Sequence, residues 1–344
     1  MKRVAIITLT GDKNYGNKFQ NYAMQTVLTK FNLDVSTILL KSNTENVMKT
    51  NCLKAFLKKL IEYVREKRIK NFSKKYINNY YFISYKQLKK DFDCFCIGSD
   101  QIWNPYFLDD FYFSYAKFTD RAFSYAASFG IDDIPRKYTK EIKDGLCKLN
   151  NISVREETGA NIVEQLTNKR PIVALDPVLL LDAHEWKKIS ASPIFKPKKK
   201  YIVTYYIGKC SEERRDYVKK IAKDRGLSVV NLGKIKNMIY YLTNPMEFLY
   251  FWENSEMVFT DSFHGVVFSI LFQKPFYIFE REDEYVSMNS RIETLLNKFC
   301  LTDRTIKDYN QNLTFECDFS KTDEILRVER EKSLEYLKNA LDIK

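Results

Sequence analysis

The segment Met257-Val258-Phe259-Thr260-Asp261-Ser262-Phe263-His264-Gly265-Val266-Val267-Phe268 decides the fold. A short apolar run, a small polar cluster and a glycine opening a second apolar run read as strand, turn and helix N-terminus, the repeating unit of parallel α/β sheets. In such sheets polar side chains leave the carboxyl edge of the strands, where ligands bind. His264, one of two histidines in the chain, stands at that edge. Two readings of it are open. The amides and positive end of the following helix, with the Ser262 hydroxyl, favour an anion beside the imidazole. Alternatively, Asp261 or Ser262 is an ordinary N-cap and His264 a satisfied first-turn residue.

Working outward, strand-like runs recur with helical spacing between them: Val4 to Leu9, Val35 to Leu40, Cys94 to Ile97, Ala122 to Ala126, Ile152 to Val154 and Ile172 to Leu175. This alternation predicts a parallel sheet covered by helices over residues 1–190. Residues 191–200, with two prolines and a lysine run, predict a linker. The pattern restarts with Tyr201 to Ile207, Ser228 to Leu232, Met257 to Thr260 and Phe276 to Phe279, predicting a second domain over 201–321. Residues 322–344 read as a helix crossing back onto the first domain. The expected architecture is α/β, two Rossmann-like domains with parallel sheets facing a central cleft.

The bulk properties fit. A chain of 344 residues suits two domains of about 150 residues each. Its 45% hydrophobic content excludes disorder, and no apolar run approaches the roughly 18 residues of a spanning helix. The start, Met1 to Thr10, reads as a first strand, not a leader. Seven scattered cysteines resemble no disulfide framework and predict a reduced, cytoplasmic protein. Neither the cysteines nor His184 and His264 have metal-ligand spacing, so no metal is expected. His184 reads as part of a helix start without a catalytic role.

The formal net charge of +12 asks for an anionic partner: a phosphorylated substrate, a membrane surface or nucleic acid. Its densest block, Lys54 to Lys75, holds nine Lys or Arg against Glu62 and Glu66, with Leu53, Phe56, Leu57, Leu60, Ile61 and Val64 at helical spacing. That is a basic amphipathic helix, suited to packing on a core or to lying at the inner face of a membrane. No nucleic-acid-binding motif accompanies it, and no such partner is expected.

Polar punctuation falls after the first-domain strands: Gly11 to Asn21, Gly98-Ser99-Asp100-Gln101-Ile102-Trp103-Asn104, Ser128-Phe129-Gly130 and Arg155-Glu156-Glu157-Thr158-Gly159. These loops are expected to line the cleft that His264 enters from the other side. The first lacks the glycine spacing of a dinucleotide or triphosphate loop, so no cofactor is indicated. Asn17 and Gln20 are placed to hold hydroxyls, or else to cap helices. Arg155 offers a fork for a carboxylate or phosphate, or a salt bridge to Glu156 or Glu157. Arg291 is a second anion ligand or a surface residue. Asp176-Pro177 reads as a structural turn.

Taken in order, Gly16-Asn17, Gln20-Asn21, Gly98 to Asn104, Ser153-Val154-Arg155-Glu156, Asp176-Pro177, Asp261-Ser262-Phe263-His264-Gly265 and Ser290-Arg291-Ile292 resemble the polysaccharide pyruvyl transferase family across about 300 residues. The resemblance implies a GT-B-like fold. It also implies transfer of a pyruvyl group from phosphoenolpyruvate onto a sugar diol, giving a ketal on a surface polysaccharide or its lipid-linked precursor. His264 and Arg155 match the family's catalytic positions, with His264 as acid/base or phosphate-stabilising group and Arg155 on the donor. Ser262 stands where some members carry arginine, so that anion contact is either missing or supplied by another residue such as Arg291. Phe263, the Gly265 and Val266 amides, Asn17, Gln20, Asp100, Gln101, Asn104 and Ser128 complete the expected substrate-binding set. The same two-domain architecture also serves nucleotide-sugar glycosyltransferases and non-enzymatic members, which are the competing readings.

Overall fold

Eleven strands are present among the described residues: β1 (Arg3–Ile7), β2 (Asp34–Leu39), β3 (Asn79–Tyr81), β4 (Cys94–Ile97), β5 (Ala122–Ser124), β6 (Ser153–Val154), β7 (Ile172–Val173), β8 (Tyr201–Tyr205), β9 (Ser228–Asn231), β10 (Met257–Thr260) and β11 (Phe276–Ile278). The computed structural model describes residues 1–40, 53–106, 113–233, 238–281, 290–309 and 313–343. Cys52, one of the cysteines expected to be reduced, lies outside them, and the six described ones are free thiols.

The first sheet has the order β3-β2-β1-β4-β5, and the second β11-β10-β8-β9. Every pairing within both is parallel. The short parallel pair β6-β7 continues the first sheet through a bridge between Ala127 and Val154. The architecture is therefore α/β and GT-B-like. Burial explains the parallel arrangement: β1, β4, β8 and β10 are covered on both faces and read as nearly unbroken apolar runs.

Each sheet has a switch point where the strand order reverses, between β1 and β4 in the first and between β8 and β10 in the second. Both gaps are held by side chains. The Thr8 hydroxyl donates to the Ser99 carbonyl at 2.8 Å across the first. The Asp261 carboxylate accepts from the Ile207 and Gly208 amides, at 2.7 and 3.0 Å, across the second.

Strand β3 has no counterpart in the sequence reading. It is a three-residue edge strand set by Asn78, whose side chain donates to the Val35 carbonyl and whose amide donates to Gln25. Conversely, the run expected to reach Ala126 stops at Ser124, and Ala126 takes a left-handed φ of 44°.

One apolar core crosses from the first sheet to the second. Helix Tyr15–Lys30, capped by the Asn14 side chain on the Gly16 amide, presents Tyr15 and Phe19 to both. Phe19 meets Trp186 and Phe268 edge-on and tilts against Phe248, with ring centroids 4.8 to 5.6 Å apart. Tyr15 donates to the Thr243 carbonyl at 2.6 Å. Helix Thr322–Ala340 lies against the first sheet's side: Tyr336 donates to the Ser124 carbonyl and Ser333 accepts from the Leu175 amide. Phe19→Ala should cost about 3–5 kcal/mol, the range for emptying an aromatic core site. Because the cavity is shared, urea unfolding followed by circular dichroism and by tryptophan fluorescence should shift as one coincident transition.

Candidate active site

The two switch points open into a single cavity of about 250 Å3. Asn14, Asn17, Asp100 and Gln101 line it from the first domain, and Ile207, the turn Asp261 to His264, Arg281 and Arg291 from the second. Strand β10 ends at Thr260, whose hydroxyl accepts from the Ser262 amide, and the Ser262 hydroxyl caps helix Phe263–Leu271 at Gly265. That local geometry delivers His264 into the cavity.

His264 is buried, and its two nitrogens face different surroundings. Nε2 lies 3.6 Å from Asp176 Oδ2, an electrostatic contact too long for a hydrogen bond. Nδ1 lies against Gly16 at the start of helix Tyr15–Lys30, where a Cβ would overlap the ring. Imidazole from one domain is thus seated by a glycine and a carboxylate from the other.

Asp176 does more than turn the chain. Its Oδ1 caps the Val178 amide at 3.0 Å and its Oδ2 accepts from Arg155 Nη1 at 2.8 Å. Arg155 Nη2 donates to Asp100 Oδ1 at 3.2 Å. All three groups are almost completely buried. Burial opposes the charge on each; Arg155 outweighs it at Asp100, His264 and then Arg155 at Asp176, and the two carboxylates at Arg155. Both carboxyls are held below the usual carboxylate range, and the guanidinium stays above its ordinary value.

Arg291, on helix Ser290–Lys298, has the opposite balance. Among the described residues it makes no ion pair; with the Gln101 amide oxygen turned toward it, Nη1 donates at 2.7 Å. Burial, reinforced by the nearby Arg155, pulls its pKa down from 12.5 to about 9. Phe263 contacts both cations, with guanidinium carbons 4.3 Å (Arg155) and 5.7 Å (Arg291) from its ring centre.

The structure brings Ser262, Phe263, His264, Arg291, Asn17, Asp100 and Gln101 to the cavity wall. Six expected site residues are not there. Arg155 pairs with Asp100 and Asp176, not with Glu156 or Glu157, and stands behind the wall with one bond from each Nη to those carboxylates. Gln20 turns inward and donates to Thr8 Oγ1 at 3.0 Å. Asn104 accepts from the Tyr106 amide within its own loop. Ser128 donates to Glu156, whose Oε1 also takes the Phe129 and Gly130 amides. The Gly265 and Val266 amides are spent on Ser262, on its hydroxyl and its carbonyl respectively. In return the cavity includes Arg281, and Asp176 joins the His264 contact, neither of which the sequence reading placed there. Both follow strand-like runs, Phe276 to Phe279 and Ile172 to Leu175, so the same edge rule points to them. Among the described residues no group of three His, Cys, Asp or Glu is placed to hold a metal ion, and no helix is long and apolar enough to cross a membrane.

The chain is similar to several solved structures at low identity. A candidate UDP-N-acetylglucosamine 2-epimerase from Listeria monocytogenes is 12% identical with a TM-score of 0.49, over 97% of this chain and 98% of that one. A co-structure of MnaA with UDP from S. aureus is 12% identical with a TM-score of 0.49, over 99% and 91%. The UDP-GlcNAc 2-epimerase of Methanocaldococcus jannaschii is 11% identical with a TM-score of 0.45, over 95% and 99%. None of the curated proteins matches the sequence. The profile of the polysaccharide pyruvyl transferases matches residues 14–283, a span that runs from helix Tyr15–Lys30 through β11 and holds most of the cavity wall, though not β1 or Arg291. The chain belongs to the polysaccharide pyruvyl transferase family.

Proposed function

We propose that the protein transfers the pyruvyl group of phosphoenolpyruvate to a sugar diol and closes a cyclic ketal on a surface polysaccharide or its lipid-linked precursor. The acceptor is a saccharide, free or lipid-linked, and the reaction runs on the cytoplasmic side without a further cofactor. The observation that carries this reading is Arg291, a buried cation with no carboxylate partner among the described residues, at the wall of the cavity that His264 also meets. A doubly anionic donor supplies the charge such a group lacks.

The chemistry assigns the roles. C3 of the donor takes a proton, one sugar hydroxyl adds to C2, the C2–O bond to phosphate breaks, and the second hydroxyl closes the ring. Of the two protons the hydroxyls lose, one balances that taken by C3 and the other leaves with phosphate. His264 acts as the general acid/base, its ring held by Asp176 beside Nε2 and by Gly16 beside Nδ1. Arg291 binds the phosphate or carboxylate. Arg155 acts at one remove, fixing Asp100 and Asp176.

Three outcomes are expected. Phosphoenolpyruvate at a hundred times its dissociation constant should stabilise the protein by about 2.7 kcal/mol in thermal unfolding. Arg291→Gln should abolish that gain yet be more stable than wild type without ligand at neutral pH. The sign follows from the depressed pKa of about 9: below it the folded state carries a charge that it disfavours relative to the unfolded chain, so the Arg291→Gln advantage shrinks as pH rises past 9. Stabilisation by UDP- or GDP-sugars alone would instead place the protein among glycosyltransferases. Second, His264→Ala should lower turnover by roughly 10²- to 10⁴-fold with the fold intact, and Gly16→Ala, by displacing the imidazole, should act in the same direction. Turnover within about tenfold of wild type in His264→Ala would remove His264 from that role. Third, Arg155→Met leaves two buried carboxylates without a cation and should cost about 3–5 kcal/mol at pH 7. In the wild type the carboxyls' low pKa values add stability that is complete above about pH 4 and is lost as pH falls toward their folded values. The gap between the two proteins should therefore narrow in acid.

A further inference from the structure

Helix Leu53–Tyr76 changes character along its length. From Arg65 onward it is part of the fold: Ile69 and Phe72 are buried, Arg65 lies over the rings of Tyr15 and Tyr241, and Arg68 forks onto Glu247 at 2.8 Å. Its first three turns present apolar side chains at the surface. Phe56, Leu57, Leu60, Tyr63 and Val64 are each more than a third exposed, Tyr63 at 54%. Residues 57, 60, 64 and 68 lie along one face of an α-helix. That stripe therefore runs directly onto Arg68, which borders a second cavity of about 250 Å3. Ile194 and Phe195 of the interdomain segment and Met238 and Ile239 line its walls, and Ile194 is 80% exposed.

Charge says what covers this surface. The exposed turns carry Lys54, Lys58 and Lys59 against Glu62 alone, whose partner is Lys58 at 3.8 Å. The interdomain segment adds Lys196 and Lys198 to Lys200 beside Ile194 and Phe195. Buried protein interfaces are depleted in lysine, whereas helices that lie in a bilayer surface combine a lysine-rich face with aromatic and aliphatic side chains. We propose that the first three turns of helix Leu53–Tyr76, with the Ile194-Phe195 and Met238-Ile239 walls, dock the protein on an anionic lipid bilayer, apolar stripe inward and lysines among the headgroups. This docking stands independently of the transfer chemistry.

The test is co-sedimentation of the full chain with vesicles of phosphatidylglycerol mixed equally with phosphatidylcholine, and with phosphatidylcholine alone. Binding to the anionic vesicles should be on the order of a hundredfold tighter, the factor for about three lysines at an anionic surface. It should be lost in Leu57→Asp with Leu60→Asp, lost in Lys58→Glu with Lys59→Glu, and weakened in Ile194→Asp with Phe195→Asp. All six positions lie outside the candidate active site, and unchanged thermal unfolding would show that the fold is intact. Equal binding to both vesicle types, or binding untouched by the first two variant pairs, would overturn the proposal. So would light scattering that finds a dimer which Leu57→Asp with Leu60→Asp converts to monomer, since a second copy would then be the occupant.

Discussion

The guanidinium of Arg155, wedged between Asp100 and Asp176, is the constraint on which the cleft depends. It ties together three segments that leave the first domain at its carboxyl edge, after β4, after β6 and after β7. A buried cation of this kind is tolerable only when paired and hydrogen-bonded. The pairing therefore sets the spacing of those three exits. Asp176 extends the constraint in two directions, into the short helix it caps and across to His264 in the other domain. The position of the imidazole is thus an outcome of charge balance in a domain to which it does not belong.

Two arginines near one phenylalanine show how environment divides labour between identical side chains. Arg155 bonds a carboxylate from each Nη and is held charged; Arg291 has an amide for company and is held against its charge. The first is a structural member and the second a cation at the cavity wall. Phe263 keeps the two apart while giving each an electron-rich face.

Much of this was legible from residue order. Met257 to Thr260 and Cys94 to Ile97 are strands over the residues that their apolar character marks, since a short run bounded by polar turns leaves little room for another assignment. The edge rule brought Asn17, Asp100, Gln101 and the Asp261 to His264 turn to one cavity from two domains. What it missed is non-local. Whether Arg155 is spent or available depends on Asp100 and Asp176, 55 and 21 residues away, and its neighbours Glu156 and Glu157 were misleading because adjacency in sequence is not proximity across a strand end. Gln20 has the right helical spacing for the cleft but finds Thr8 inside the domain, a partner no periodicity reveals. Strand β3 owes its existence to hydrogen bonds of Asn78 and Gln25, so its own three residues hold no signal.

The aromatic contact of Phe19 with Trp186, Phe248 and Phe268 has an evolutionary reach. Two-domain transferases are easily imagined as interchangeable parts, a donor half shuffled against various acceptor halves. Here the seam between the halves is not a surface but an interior, and the helix that lines the first switch point also floors the imidazole of the second. A recombinant that exchanged one half would have to carry the facing helix with it. Change that leaves this interior intact has to fall in the loops and wall residues that the frame carries.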